Sequence, residues 1–174
     1  MRRIALLLCA CALFAAGCKR RHHPNPAATI EEEGELASSI SVADSKDAAQ
    51  LLSGFHSVEG GAWRWSMKKF AVSLAPPLGA PQKGATLVLN FALPDAVAAK
   101  LLGLSIMPTV AGQRIAPCQV TKPGEQVCQF DVPPTALKTG AVVVEFELSK
   151  AIEPGDGDSR QLGLVVARVG FTAK

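Results

Sequence analysis

Glu59, Arg64 and Arg160 are the charged side chains whose setting could do chemistry. A carboxylate and a guanidinium presented together can hydrogen-bond sugar hydroxyls, and the same two groups set against each other fix the geometry of a sheet. Arg64 stands between Trp63 and Trp65, which makes it first of all a strand residue. The expectation is therefore an ion pair between Glu59 and one of the two arginines, holding the first segment of the folded part against the last strand. Trp63 and Trp65, at alternate positions, read as core, and Trp63, nearer the strand end, is the better candidate for a ring exposed to stack on a sugar. His56 is the only histidine beyond residue 50. Asp156-Gly157-Asp158-Ser159 contains part of a calcium-loop pattern without its downstream bidentate Glu, so Asp156 and Asp158 fall short of a metal site and no cofactor is expected.

Catalysis is not expected either. A Ser-His-Asp relay would have to use His56, and no Gly-x-Ser-x-Gly elbow is present. The acids fall on outward strand positions or in loops, not in a pair facing across a cleft, and no phosphate-cradling glycine loop occurs.

Two cysteines lie in the folded part. Cys118 and Cys128 flank Lys122-Pro123-Gly124-Glu125, a turn sequence with Pro at its second and Gly at its third position. Strands leaving that turn bring the sulfurs nearly opposite, so a disulfide is expected in an oxidising compartment.

Short Val/Leu/Ile-rich segments broken by Pro and Gly must position these groups, which predicts an all-β protein, a single β-sandwich of jelly-roll type with one or two helical turns. The stretch Gly54 to Leu74 is its centre. A turn at Met67-Lys68, or a loop over Ser66 to Lys69, would set Trp65 opposite Phe70 and Trp63 opposite Val72 on one face of a hairpin. Thr86 to Leu93 alternates with Leu87, Leu89, Phe91 and Leu93 inward. Asp95 to Leu102 reads as a short helix stopped by Gly103. Strands are expected over Leu104–Val110, Arg114–Thr121, Gln126–Val132 and Ala141–Ser149, with a helical turn over Thr135–Thr139. Arg160 to Thr172 should close the domain with Val165, Ala167, Val169 and Phe171 on the core face.

The start of the chain carries an address. Arg2 and Arg3, an apolar run from Ile4 to Phe14, and the small residues Ala15-Ala16-Gly17 before Cys18 form a secretory signal too short to span a bilayer. Ala15-Ala16-Gly17-Cys18 resembles the lipobox of bacterial lipoproteins, with Ala15 where Leu is usual. That resemblance implies that Cys18 is acylated on sulfur, palmitate included, and becomes the new N-terminus. It places the domain outside the cytoplasm in the cell envelope or periplasm. Lys19 follows where an Asp would retain the protein at the inner membrane, which implies the outer membrane. Lys19-Arg20-Arg21-His22-His23 reads as a solvated basic tail, and residues 24–50, rich in Pro, Ala, Ser and acid, read as a flexible linker with a helical turn or two over Ala43–Leu52. The expected organisation is a signal over 1–17, a lipidated linker over 18–50 and a β-sandwich over 51–174.

Without Arg2 and Arg3 the chain has 16 basic against 15 acidic residues. That balance argues against a nucleic-acid partner, which would require a concentrated basic face.

Gly54, Phe55, His56 and Glu59, followed by Arg64-Trp65, Gly112, Pro133, Leu137 and the terminal Arg160-x-Leu162-Gly163-Leu164, resemble the β-sandwich accessory module found beside bacterial glycosyltransferases and in some envelope proteins. The resemblance covers 51–174, implies a jelly-roll-like fold and no established chemistry, and departs in carrying the cysteine pair and no catalytic domain. The sequence leads to an uncharacterised, non-enzymatic envelope lipoprotein whose module binds a glycan or cell-wall polysaccharide. The alternative is a structural or protein-interaction module that uses a sheet edge or the loops at one end of the sandwich.

Overall fold

The computed structural model describes residues 36–138, 140–155 and 157–174. The expected signal, Cys18 and the expected linker up to residue 35 lie outside the described residues. No described helix is long and apolar enough to cross a membrane.

Ten strands build the body: β1 (Ser39–Ser41), β2 (Leu51–Glu59), β3 (Trp63–Leu74), β4 (Ala85–Leu93), β5 (Ser105–Val110), β6 (Gln113–Arg114), β7 (Cys118–Gln119), β8 (Gly124–Val132), β9 (Val142–Leu148) and β10 (Val165–Ala173). Two short helices, α1 (Ala80–Lys83) and α2 (Asp95–Leu101), and two 3-10 turns, Ser45–Gln50 and Pro134–Ala136, connect them. All pairings are antiparallel, in the order β6-β5-β9-β3-β10-β4-β8, with β1 on β10, β2 on β3 and β7 on β5.

The sheet curls into two layers because β3 changes neighbour along its length. Arg64 and Trp65 pair with Val166 and Val165 of β10, whereas Lys69 to Leu74 pair with β9. The layer of β5, β9 and the second half of β3 thus faces the layer of β10, β4 and β8. Alternation supplies the core between them: Leu87, Leu89, Phe91 and Leu93 from one layer meet Phe70, Val72, Val144, Phe146 and Leu148 from the other. Phe70 and Phe146 stack with ring centroids 4.8 Å apart. The expected sandwich is the observed fold, and the inward faces of β4 and β9 are those the alternation predicts.

Four local expectations are corrected. No turn interrupts Ser66 to Lys69: β3 runs straight through, and the hairpin lies earlier, between β2 and β3, with Glu59 opposite Trp63. Its turn uses Gly60 (φ 58) and Gly61 (φ 66), left-handed conformations that glycine adopts without a Cβ penalty. Consequently the four apolar residues do not share a face. Phe70 and Val72 enter the main core, while Trp65 joins Leu162 and Val165 in a second cluster with Trp63 against it.

Residues 36–50 are not a linker. Ile40 and Val42 are buried in the core, and β1 pairs Ser39 to Ser41 with Gly170 to Arg168. Gln50 Nε2 donates to the carbonyls of Ala37 and Ser73, closing the corner where β3 leaves β10. The folded body therefore begins at about residue 36, not at Leu51.

Arg114 to Thr121 is not one strand. Only the two-residue segments β6 and β7 pair with β5, on either side of Pro117. Finally, the last strand starts at Val165, and a bulge between Val166 and Arg168 breaks its alternation. Val166 thereby points into the main core and Ala167 is exposed.

The expected disulfide joins Cys118 and Cys128, with Cα atoms 6.1 Å apart. Because β7 extends the edge of one layer and β8 forms the edge of the other, this bond closes the side of the sandwich opposite the β3 corner.

Candidate functional site

The motif residues gather where β2, the start of β3 and the segment before β10 meet. Arg160 is half-buried and its guanidinium is divided between two acids: NH1 donates to Glu59 Oε1 at 2.5 Å, NH2 to Asp158 Oδ2 at 2.8 Å, and Nε to Asp158 Oδ1 at 3.0 Å. The hydrogen bonds from Arg160 hold the Asp158 carboxyl well below the usual carboxylate range, at about 2. Reciprocally, Asp158 first and Glu59 second push the guanidinium further toward its charged form. The partner of Glu59 is thus Arg160, and the pair ties the first hairpin to the chain entering the last strand. Asp158, once a calcium candidate, has both oxygens on Arg160; Asp156 lies outside the described residues. Among the described residues no group of three His, Cys, Asp or Glu could hold a metal ion.

Arg64 is spent on the main chain. Its Nε donates to Val42 O at 2.6 Å and its NH1 to His56 O at 2.9 Å. His56 in turn hydrogen-bonds the carbonyl of Gln161 through Nε2 at 2.8 Å. Gln161, which the sequence does not single out, binds the three segments together: Oε1 accepts from Lys68 N at 2.9 Å and Nε2 donates to Glu153. Close packing is fixed by Ser66, whose Oγ accepts from Leu164 N at 3.0 Å, and by Gly163, where an added Cβ would lie 2.7 Å from that Oγ. His56, Glu59, Arg64 and Arg160 are therefore engaged in holding this end of the sandwich.

Trp63 is different. Its ring meets Trp65 edge-on, with centroids 6.3 Å apart, and it also walls a hollow of about 760 Å³ on the outer side of the β10-β4-β8 layer. The same hollow is lined by Asn90 of β4, Glu125 and Gln126 of β8, Gln119 of β7, and Thr121 and Lys122 from the disulfide loop. Val127, 55% exposed, and Val165 supply apolar floor. Register explains the grouping: Asn90 sits opposite Val127, Phe91 opposite Gln126 and Ala92 opposite Glu125, at the ends of two adjacent strands. The polar residues are invisible as a site in the sequence because Asn90 and Glu125 occupy outward strand positions, Thr121 and Lys122 a turn, and Gln126 the end of the inward row that continues to Cys128. An aromatic wall together with amides, a hydroxyl, a carboxylate and an ammonium group offers stacking and both hydrogen-bond polarities to a polyhydroxylated ligand.

No family model matches the chain, and no curated protein does. Among solved structures, the chain is similar to a family 35 carbohydrate binding module from an environmental isolate, at 16% identity over 80% of this chain and 88% of that one, with a TM-score of 0.41. It is also similar to an exo-beta-1,3-galactanase from Phanerochaete chrysosporium solved with beta-1,3-galactotriose, at 14% identity over 79% of this chain and 26% of that one, with a TM-score of 0.38.

Proposed function

We propose that this chain is an envelope lipoprotein, anchored through acylated Cys18, whose non-catalytic β-sandwich binds a glycan in the hollow beside Trp63. One observation carries the binding: a single hollow is lined by the Trp63 indole together with Asn90 of β4, Glu125 of β8 and Lys122 of the disulfide loop. Sugars present an apolar ring face and a rim of hydroxyls, and this wall and floor offer partners for both. The anchor is supported by Ala15-Ala16-Gly17-Cys18 behind an apolar run, and the outer membrane by Lys19. A glycan-array screen tests the binding, with Trp63→Ala and Asn90→Ala as controls. Binding of one saccharide class that both variants weaken is expected; no binding to any class overturns the reading.

The second reading, docking of an envelope protein, has its own observation. β2 pairs only with β3 and carries exposed Leu52 and Val58 along its outer side.

A further inference from the structure

The outer face of the other layer, formed by β5, β9 and the second half of β3, carries a second hollow of about 400 Å³. Two rows of side chains cross its floor. Register sets Arg114 of β6 opposite Thr109 of β5, Thr109 opposite Glu145 of β9, and Glu145 opposite Ala71 of β3. Two residues along the strands, Met107, Glu147 and Lys69 form the next row. Both rows lie outside, because the residues between them, Pro108, Phe146 and Phe70, are buried in the sandwich.

Two features make a depression of this surface. Ala71 puts a single methyl group into a row whose other members carry longer side chains. At the opposite side, Ile115 N donates to Pro108 O at 3.0 Å and holds the connection between β6 and β7 against β5, so that Ile115 and Pro117 wall the hollow.

Its charges are not used alike. Lys69 Nζ lies 3.3 Å from Glu147 Oε1, so those two satisfy each other. Arg114 and Glu145 are exposed, and the side chain of neither has an ionic or hydrogen-bonding partner among the described residues. Thr109 stands between them, which sets their Cα atoms two strand spacings, about 10 Å, apart. A ligand lying across Thr109 therefore meets a guanidinium at one end and a carboxylate at the other. The first forks onto a carboxylate and the second accepts from an ammonium group. A ligand with one charge leaves the opposite end of the hollow unmatched, and a neutral sugar leaves both. An amino acid or a dipeptide carries both groups, separated by at most about 7 Å in the extended dipeptide. Met107, Ile115 and Pro117 offer apolar surface to its side chains.

We propose that this hollow binds a zwitterionic amino acid or short peptide, its carboxylate on Arg114 and its ammonium group on Glu145. The site lies on the other layer from Trp63, so the inference goes beyond the glycan reading and does not depend on it.

The test titrates alanyl-alanine, in its L,L and D,D forms, into the chain from Cys18 onward and follows NMR amide shifts. Arg114, Thr109 and Glu145 should respond saturably to at least one form, with β4 amides unmoved. N-acetylation of the dipeptide removes the ammonium group and amidation removes the carboxylate, and each should weaken binding about tenfold. Arg114→Gln should abolish the preference for the free carboxylate and Glu145→Gln the preference for the free amine, while Arg114→Lys should keep part of the first. Trp63→Ala should leave the dipeptide affinity unchanged. The acids Glu31, Glu32, Glu33 and Glu35 precede the described body, and changing all four to Gln should also leave it unchanged. No saturable response by about 20 mM, equal affinity for the capped dipeptides, or a tenfold gain when the four acids are neutralised overturns the proposal, the last by assigning Arg114 to the acidic segment. No sugar is present, so failure here is separate from failure of the glycan reading.

Discussion

Arg160 donates to Glu59 across 2.5 Å while their positions in the chain are 101 residues apart. The same guanidinium holds Asp158, two residues away, so one side chain fixes the local loop and its long-range attachment together. A half-exposed pair of this kind adds little energy, but here it sets where β2 lies relative to the entry into β10.

The pH dependence of that arrangement follows from Asp158. Its folded-state pKa is lowered to about 2 from an ordinary value of 3.8. The stabilisation is complete above the unfolded-state value and is lost as pH falls through about 2. Arg160→Ala should return the Asp158 carboxyl toward its ordinary value in an NMR titration. In urea unfolding the variant should be less stable than wild type near neutrality, and the difference should narrow between about pH 4 and pH 2.

Gly54 and Gly61 both have positive φ, yet they should respond unequally to alanine. An added Cβ at Gly54 would lie 2.0 Å from Lys69 O and 2.6 Å from Phe70 Cα, whereas nothing lies within 4 Å at Gly61. Gly54→Ala should cost about 3 kcal/mol or more in urea unfolding and Gly61→Ala about 1 kcal/mol. Equal costs would show that close approach at Gly54 is not the constraint.

Ile40 tests where the body begins. Its side chain is buried between β10 and the rest of the core, so Ile40→Ala should cost about 2–5 kcal/mol. A chain starting at Leu51 lacks Ile40, Val42 and the Gln50 bridge and should fail to give a cooperative melt. A normal melt for that chain would return residues 36–50 to the role of a linker.

Reducing the Cys118–Cys128 bond should lower stability by about 3 kcal/mol, as closure of a loop of this length implies. The masses of the oxidised and reduced chain should differ by two hydrogen atoms, one added to each sulfur on reduction. Because Gln119, Thr121 and Lys122 wall the hollow, reduction should also weaken glycan binding at temperatures where the body stays folded.

Asn90→Ala should separate recognition from folding. Asn90 lies on the outward face of β4, away from the core, and a loss of about fivefold in glycan affinity with an unchanged melting temperature is expected by calorimetry. Trp63→Ala should reduce affinity further and lower stability too, since the ring packs against Trp65.

The sequence exposed the layers more readily than their connections. Leu87 to Leu93 and Val142 to Leu148 alternate cleanly because each strand keeps one neighbour set along its length. Trp63 to Leu74 does not: at Ser66, buried beside Trp65, the strand passes from β10 to β9, and that change of partner imitates a turn in the pattern. Ser39 to Gln50 is short and polar in composition, and only the contacts of Ile40, Val42 and Gln50 with distant strands make it part of the core. The pairing of Glu59 with an arginine was expected because Glu59, Arg64 and Arg160 are the charged residues of the motifs that carry the resemblance, and the structure selects Arg160. The ring of polar groups around Trp63 was not, because cross-strand register, which joins Asn90 to the β8 residues, is absent from a linear pattern.

β10 has consequences for the order of events in folding. It is the partner of β1, β3 and β4, so residues close to the two ends of the described body must find one another before the layer of β10, β4 and β8 is complete. A growing polypeptide cannot assemble this structure until residues 165–173 have emerged from the ribosome. These pairings join residues far apart in sequence, the kind of topology that folds slowly.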